Sequence, residues 1–128
     1  MEMTLRWYGS RFDTVTLEQI RQIPGVTGVI TTLYNTKPGE IWSRQAIRAL
    51  KEEVEASGLH IAGIESVNIH DAIKTGDAKR DHYIDNYIET LRHLGEEDTL
   101  LVCYNFMPVF DWTRTELARK RPDGPTVL

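Results

Sequence analysis

This sequence is poor in cysteine, in excess positive charge and in long apolar segments. Its 128 residues include one cysteine, Cys103, so no disulfide can form within the chain, which is typical of a reducing compartment. Lys and Arg number 15 against 19 Asp and Glu, and the resulting net charge of −4 argues against nucleic acid as the main partner. The longest wholly apolar run, Leu100 to Tyr104, is far shorter than the ~20 residues that span a bilayer, and the N-terminus lacks the apolar segment of a signal peptide. We therefore expect a cytoplasmic protein that binds neither membranes nor nucleic acid.

Several short motifs that carry chemistry are also missing. No Gly-x-Gly-x-x-Gly or Gly-x-x-x-x-Gly-Lys-Ser/Thr sequence follows a predicted strand, so nothing indicates a nucleotide site. His-x-x-x-His, Cys-x-x-Cys and His-Glu-x-x-His spacings are absent, so no metal site can be built from this chain by motif. A Gly-x-Ser-x-Gly nucleophile elbow is absent as well.

What the sequence does contain is a regular alternation of strand-like and helix-like segments. β-Branched and aromatic runs predict four strands, at Thr4–Tyr8, Gly28–Tyr34, Leu59–Ser66 and Thr99–Asn105. Between them, capping residues and apolar spacing predict three helices: one capped by Thr16 and ended by Pro24-Gly25, one running from Ser43 to Gly58, and one carrying the apolar stripe Ile84, Tyr87, Ile88, Leu91 and Leu94 and closed by Gly95. Strands that alternate with helices predict right-handed βαβ units and a parallel sheet.

The spacing of the strands favours part of a (β/α)₈ barrel. The predicted strands begin about 32 residues apart, and eight such units would occupy roughly 250 residues, the usual size of that barrel. A small doubly wound sheet remains the alternative, because it would show the same alternation. After the fourth strand, Thr113 begins a predicted short helix that stops at Pro122, with no further strand. We therefore expect the chain to be a piece of a longer one.

Polar and aromatic residues lie at the carboxyl ends of three predicted strands, where a barrel holds its active site. Glu65 ends strand three and, by alternation, shares a face with Ile61 and Gly63; a carboxylate there can bind a hydroxyl, orient a base or hold a metal. Asn105 follows strand four, and the pair Trp7 and Tyr8 follows strand one; these side chains can hydrogen-bond to or stack on a polyol. Solvated or packed side chains are the alternative reading for each residue alone.

The strongest local feature is the segment that contains Trp112 and Arg114. An Arg at a helix N-terminus lies beside free backbone N–H groups, and its planar guanidinium matches a carboxylate, so the pair predicts an anion site. The competing interpretation is a solvated first-turn Arg114 and a packed Trp112. His70, in the loop after strand three, is a weaker candidate, whereas Cys103 is predicted to be a small buried hydrophobe. The remaining histidines, His60, His82 and His93, are predicted to lie on the surface.

Four segments resemble the mannonate dehydratase family. They are Arg6–Gly9, Val15–Arg21, Ile64–Val67 with His70, and above all Val102–Thr115, whose sequence is Val-Cys-Tyr-Asn-Phe-Met-Pro-Val-Phe-Asp-Trp-Thr-Arg-Thr. The resemblance runs in order over essentially the whole chain. It implies a xylose-isomerase-like TIM barrel of which residues 1–128 are the N-terminal half of a single domain, supplying about the first four βα units.

The resemblance also implies an activity. The family consists of lyases that remove water from D-mannonate to give 2-dehydro-3-deoxy-D-gluconate in glucuronate catabolism, with a divalent metal, Mn²⁺ or Fe²⁺. The metal ligands and the acid and base are expected beyond Leu128, so this segment alone is expected to be inactive. It would supply substrate-binding residues, namely Trp7, Tyr8, Glu65, His70, Asn105, Trp112 and Arg114, within an enzyme that is expected to form a homo-oligomer.

Two other interpretations are compatible with the same residues. A short chain of this composition can be a non-catalytic half-barrel that binds a sugar acid or pairs with another chain. The barrel can also belong to a related sugar isomerase or epimerase.

Overall fold

The computed structural model describes residues 2–108, 115–116, 118–124 and 126–127. Four strands form one sheet, and they are β1 (Met3–Arg6), β2 (Val26–Thr31), β3 (His60–Glu65) and β4 (Val102–Cys103). The helices are α1 (Leu17–Arg21), α2 (Arg44–Glu55), α3 (Asp71–Thr75) and α4 (Arg80–Glu96). A separate two-stranded sheet pairs β5 (Arg119–Lys120) with β6 (Thr126–Val127). Among these residues, no helix combines the length and the hydropathy that crossing a bilayer requires.

The sheet has the predicted order. Its strands lie in the sequence β1-β2-β3-β4, and each neighbouring pair is parallel. Consecutive parallel strands need a crossover, and the helices α1, α2 and α4 each begin after one strand and end before the next. The prediction of a sequentially ordered α/β protein with a parallel sheet is confirmed.

An irregularity in β3 changes which of its residues share a face. Val29 pairs with Ile61 but its neighbour Ile30 pairs with Gly63, so β3 has one more residue than β2 over this interval. Ile61 packs against the buried hydrophobic clusters, whereas the Glu65 carboxylate is outside them and lies 3.1 Å from the Arg6 Nε atom. The prediction that Ile61 and Glu65 lie on the same face is therefore wrong, because strict alternation does not pass through a bulge.

The first two helices begin where the capping residues predict. The Thr16 hydroxyl accepts a hydrogen bond from the backbone N–H of Gln19. The Gln19 side-chain oxygen accepts one from the backbone N–H of Thr16, so both bonds of the capping box are present. Ser43 accepts the backbone N–H of Ala46 at the start of α2. These bonds satisfy donors that the first helical turn leaves unpaired.

Two clusters of buried side chains form the core between the sheet and the helices. One includes Trp7, Leu17, Ile20, Val26, Val29, Leu50, Val54 and Leu59. The other consists of Trp42, Ile47, Ile64, Val67 and Leu94. Because Ile61 of β3 packs against both clusters, and the helices α1, α2 and α4 supply buried residues to them, the three helices are held on a single face of the sheet.

The predicted apolar stripe of the last long helix is only partly buried. Leu94 is buried and Tyr87 packs against the second cluster, but Ile84, Ile88 and Leu91 are each more than a third exposed. The inward position between Tyr87 and Leu94 is occupied by Thr90. The Thr90 hydroxyl accepts a hydrogen bond from the backbone N–H of Trp42 at 3.1 Å and donates one to the Asn86 carbonyl at 3.0 Å. Gly95 does not close the helix, which ends at Glu96.

The fourth strand is shorter and more exposed than predicted. Only Val102 and Cys103 pair with β3, although the predicted strand ran from Thr99 to Asn105. Leu100, Leu101 and Cys103 are exposed because β4 is the last strand of the described sheet, so the prediction of a buried Cys103 is wrong here. An apolar run predicts that a segment tends to be buried, but burial also requires a neighbouring element.

The end of the chain differs from the prediction of a helix. Arg119–Lys120 form a strand that pairs antiparallel with Thr126–Val127. Pro122, Asp123 and Gly124 make the turn between them, and Gly124 adopts a φ of +103° that its missing side chain allows. The predicted cap, Thr113, lies outside the described residues. Turn-forming residues in this segment therefore produce a hairpin where the spacing predicted a helix.

A buried carboxylate joins α2 to the end of α4. The Glu97 side chain is 8% exposed, and its oxygens accept hydrogen bonds from Arg44 and from Arg48, the shortest at 2.7 Å. Lys51 donates to the Glu97 carbonyl at 2.9 Å. The hydrogen bond from Arg48, with a second one from Arg44, holds the pKa of the Glu97 carboxyl below its ordinary value although partial burial opposes the shift.

The division of the α4 stripe predicts unequal effects of two similar substitutions. Leu94→Ala is expected to lower the free energy of unfolding by about 2–5 kcal/mol, because it leaves a cavity in the core. Leu91→Ala removes the same atoms from an exposed position and is expected to cost less than about 1 kcal/mol. Urea unfolding curves measure both values. Equal losses would contradict the assignment of Leu91 to the exposed face of this chain.

The Glu97 network predicts a pH dependence of stability. The folded-state pKa of Glu97 is depressed. Its contribution to the free energy of unfolding is therefore present at pH values above the ordinary glutamate pKa of 4.5 and is lost as the pH falls below 4.5. Unfolding free energies measured between pH 7 and pH 3 should therefore fall less steeply for Glu97→Gln than for the unsubstituted chain. Glu55→Gln, which changes an exposed residue of α2, is the control and should keep the original slope.

Candidate functional site

The carboxyl ends of the parallel strands bring polar and aromatic side chains to one edge of the sheet. Tyr8 follows β1, Tyr34 follows β2, Glu65 ends β3 and Asn105 follows β4. Parallel sheets bind their ligands at this edge, because the loops that leave the strands surround it. Tyr8 and Glu65 thus lie where the sequence predicted a binding site.

Arg6 connects three of these strand ends. Its Nη1 donates to the carbonyls of Trp7 at 2.8 Å and Ile30 at 3.1 Å, and its Nη2 donates to the Tyr34 hydroxyl at 2.9 Å and the Glu65 carbonyl at 3.2 Å. The Nε atom of Arg6 is 3.1 Å from Oε2 of Glu65. A single guanidinium therefore holds the ends of β1, β2 and β3 together.

Aromatic rings surround this guanidinium. Tyr8 is 49% exposed, and the centroid of its ring lies 4.6 Å from the Arg6 Cζ, which is a cation–π contact. The Tyr34 ring packs against Phe12, with 5.1 Å between centroids. Burial raises the pKa of the Tyr34 phenol, with the Arg6 charge opposing the shift, so the hydroxyl keeps its hydrogen at neutral pH.

Arg6 and Tyr34 are members of the site that sequence reasoning missed. Two signals could have identified Arg6: it occupies the last position of β1, and it alternates with Trp7 so that it shares a side with Tyr8. The sequence pattern predicts Tyr34 inside a strand, but that strand ends at Thr31 in the structure. With the shorter strand, Tyr34 becomes a loop residue at the carboxyl edge of the sheet.

Trp7 is separated from the other predicted residues. Its side chain is 1% exposed and belongs to the cluster between the sheet and the helices, on the opposite side of β1 from Arg6. Its indole nitrogen has no hydrogen-bond acceptor within the described part of the chain. The structure therefore places Tyr8 at the edge and Trp7 in the core.

His70 forms a second polar feature, beside a cleft rather than beside Arg6. Its Nδ1 accepts the backbone N–H of Ala72 at 3.0 Å and so caps α3, a short helix that was not predicted. In the neutral ring the hydrogen is then on Nε2. The imidazole stacks on Tyr83, with centroids 3.6 Å apart and an interplanar angle of 10°.

The cleft beside His70 combines polar groups with aromatic walls. It lies between the loops that follow β2 and β3, and its lining includes Lys37, Gly39, Asn68, His70 and Tyr83. A Cβ atom added to Gly39 would lie 2.6 Å from the Tyr83 ring and 2.9 Å from the His70 ring, and its φ is +86°. The stacked pair can therefore form only because residue 39 has no side chain.

Two neighbouring contacts complete the region. Lys74, 3% exposed, donates to the Met107 carbonyl at 3.1 Å and so joins α3 to the segment after β4. The ring of His93 is hydrogen-bonded to the Trp42 carbonyl through Nδ1 at 2.7 Å. His93 is thus partly buried, and its prediction as a surface residue is wrong, because the loop before α2 packs over it.

The remaining predicted site residues lie at or beyond the limit of the described structure. Asn105 is half-buried after β4, and its side chain makes no hydrogen bond to another described residue. Trp112 and Arg114 lie outside the described residues. Within residues 2–108 and the short described stretches after them, no group of three or more His, Cys, Asp or Glu side chains could hold a metal ion.

These observations define an α/β protein with a parallel sheet whose carboxyl edge carries an arginine, a carboxylate and tyrosines in contact with one another. The sequence profile of the D-mannonate dehydratase family (UxuA) matches residues 1–128. The chain belongs to the mannonate dehydratase family.

Individual relatives agree with that assignment. The mannonate dehydratase of Brachyspira hyodysenteriae is 65% identical over the whole of this chain, which covers 36% of that protein. The mannonate dehydratase of Geobacillus thermodenitrificans is 52% identical over the same residues, covering 34% of its length. The crystal structure of mannonate dehydratase from Streptococcus suis serotype 2 superposes with a TM-score of 0.90 at 48% identity, over 98% of this chain and 36% of that one. The chain thus spans about a third of the length of the relatives it matches.

The cleft beside His70 allows a comparison of two glycine substitutions. Gly39→Ala is expected to lower the free energy of unfolding by about 1–3 kcal/mol more than Gly76→Ala, because only the first adds a clash to the strain of a positive φ. Gly76 has a φ of +73° and open space around its α-carbon, so it is the matched control. NMR should show altered His70 ring shifts in Gly39→Ala alone. Unchanged shifts would contradict the contact.

Proposed function

We propose that this chain is the N-terminal segment of a mannonate dehydratase, a metal-dependent lyase that removes water from D-mannonate to give 2-dehydro-3-deoxy-D-gluconate in glucuronate catabolism. The observation that carries the proposal is the 65% identity to the Brachyspira mannonate dehydratase over every residue of the chain. The role proposed for this segment is to bind and orient the substrate.

The proposed complete fold is a xylose-isomerase-like TIM barrel. Four parallel strands in sequential order, with α1, α2 and α4 between them, are what the first four βα units of such a barrel would contain. The alternative doubly wound sheet would place a later strand beside the other edge of β1, and the described order β1-β2-β3-β4 has no such reversal. Residues 1–128 would then be the N-terminal half of one domain.

The exposed groups at the sheet edge suit a polyhydroxy acid. The Glu65 carboxylate, 45% exposed, would accept hydrogen bonds from substrate hydroxyls, and the Tyr8 ring would pack against the carbon chain. Asn105 and the Nε2–H of His70 would add hydrogen bonds. Arg114, with Trp112 beside it, would pair with the substrate carboxylate in a bidentate fork. Trp7 would support this edge from the core.

The acid, the base and the metal are proposed to come from the rest of the enzyme. When bound, Mn²⁺ or Fe²⁺ would stabilise negative charge that develops as the proton next to the carboxylate is removed. The described residues do not fit such an ion, because they contain no group of three ligating side chains. This segment alone is therefore proposed to be inactive.

The proposed setting is the cytoplasm, where a single cysteine without a disulfide partner is ordinary. The acidic composition argues against nucleic acid as the partner, and the family match supports a small sugar acid. Assembly of the enzyme into a homo-oligomer is part of the same proposal.

A chimera tests the proposal. In it, this chain replaces the matching part of the Brachyspira relative, and we expect the purified, folded chimera to form the 2-keto-3-deoxy acid from D-mannonate with added Mn²⁺. Glu65→Gln should lower kcat/KM about fivefold to 150-fold, the equivalent of about 1–3 kcal/mol for a charge-assisted hydrogen bond. Glu53→Gln, on the exposed face of α2, is the control and should leave the rate unchanged.

A chimera that folds but does not act on D-mannonate would contradict the proposal. Binding of the sugar acid without turnover would then favour a non-catalytic half-barrel, and conversion of a sugar without loss of water would favour an isomerase or epimerase. Assays of the chain alone complete the comparison, since turnover there would place the catalytic groups in this segment.

A further inference from the structure

Arg6 has no terminal N–H left for a ligand. A guanidinium carries four N–H groups on its two terminal nitrogens, and in this chain those nitrogens make four hydrogen bonds to protein acceptors. Three of the acceptors are backbone carbonyls and the fourth is the Tyr34 hydroxyl. Arg6 is therefore unsuited to binding the carboxylate of a sugar acid directly, although it lies at the binding edge.

The charge of Arg6 acts through Glu65 instead. The Arg6 Nε lies 3.1 Å from Oε2 of Glu65, and the arginine side chain is 22% exposed whereas that of the glutamate is 45% exposed. The arginine thus lies beneath the carboxylate, away from solvent. Oε1 of Glu65 receives no hydrogen bond from a described residue, so this oxygen is available to a ligand.

The Tyr34 hydroxyl is oriented by the same guanidinium. Its oxygen accepts from Nη2 of Arg6 at 2.9 Å, which leaves the phenolic hydrogen free to donate outward. The ring is 39% exposed. One side chain therefore holds in place an acceptor, Oε1 of Glu65, and a donor, the Tyr34 hydroxyl.

We propose that Arg6 is a positioning residue that holds Glu65 and Tyr34 as an acceptor–donor pair for neighbouring hydroxyl groups of a sugar acid. Each hydroxyl of a polyol both donates and accepts, so a fixed acceptor beside a fixed donor matches two of them. This inference rests on the proposed function and adds to it two residues, Arg6 and Tyr34, with distinct roles.

Lysine cannot replace arginine in this arrangement. Its ammonium group has three N–H donors that diverge from one nitrogen, whereas the planar guanidinium reaches acceptors on three strands. Arg6→Lys keeps the positive charge but should lose the geometry. We expect it to raise the KM of the chimera for D-mannonate about tenfold, with kcat changed less than threefold, at temperatures well below its Tm. Arg92→Lys, which changes an exposed residue of α4, is the matched control and should have no effect.

Combining substitutions separates positioning from a purely structural role. If Arg6 acts through its two partners, Arg6→Lys should add little to the KM of a variant that already carries Glu65→Gln and Tyr34→Phe. A purely structural clamp would lower the Tm and leave the KM unchanged. The inference is overturned by an unchanged KM in Arg6→Lys. It is also overturned if Arg6→Lys raises the KM by the same factor in the combined variant as it does alone.

The outcome for the unsubstituted chimera distinguishes this inference from the proposed function. If the folded chimera does not act on D-mannonate, the proposed function and the inference both fail. If it is active and Arg6→Lys has a normal KM, only the positioning role fails. Should Arg6→Lys not fold, Tyr34→Phe replaces it, because it removes the proposed donor and leaves the guanidinium in place. A normal KM in that variant overturns the acceptor–donor pair.

Discussion

Parallel strands all end at the same edge of their sheet, and the functional part of this structure depends on that constraint. The strands of this sheet are parallel, so the loops that leave them meet at the carboxyl edge, while the core clusters hold α1, α2 and α4 against one face. Residues far apart in sequence come together there: Arg6 contacts Glu65 although 59 positions separate them. Without the parallel order, the same side chains would be distributed over both ends of the sheet.

Two arginine–carboxylate networks in the chain serve different purposes, and exposure distinguishes them. Glu97 is 8% exposed and takes hydrogen bonds from two arginines, so it has little surface left to offer a ligand and serves to join α2 to α4. Glu65 is 45% exposed and contacts a single arginine that is itself less exposed than the glutamate. An exposed carboxylate that is held by a less exposed arginine is suited to binding a ligand, whereas a buried carboxylate with two arginine partners is suited to stabilising the fold.

The sequence predicts the architecture better than it predicts the details of the site. Local signals sufficed for the helices capped by Thr16 and Ser43 and for the sequential parallel sheet, because capping and apolar periodicity depend on neighbouring residues. The bulge in β3 depends on pairing with β2, so alternation alone misplaced Ile61. The exposure of Cys103 likewise depends on which elements surround β4, and no periodicity contains that information.

Within the site, the residues that sequence reasoning found are those that offer a recognisable group at a strand end, such as Glu65 and Tyr8. The residue it missed, Arg6, acts through contacts made across three strands, and its role is visible only when the acceptors of its N–H groups are counted. His70 is an intermediate case, since its position in a loop follows from the sequence whereas its cap on α3 and its stacking on Tyr83 do not. A side chain that orients others has no sequence signature of its own, because its role depends on contacts with residues that are distant in the sequence. In the described part of this chain, Arg6 fixes the positions of the Glu65 carboxylate and the Tyr34 hydroxyl at the carboxyl edge of the sheet, and that arrangement follows from pairing across three strands rather than from any local pattern.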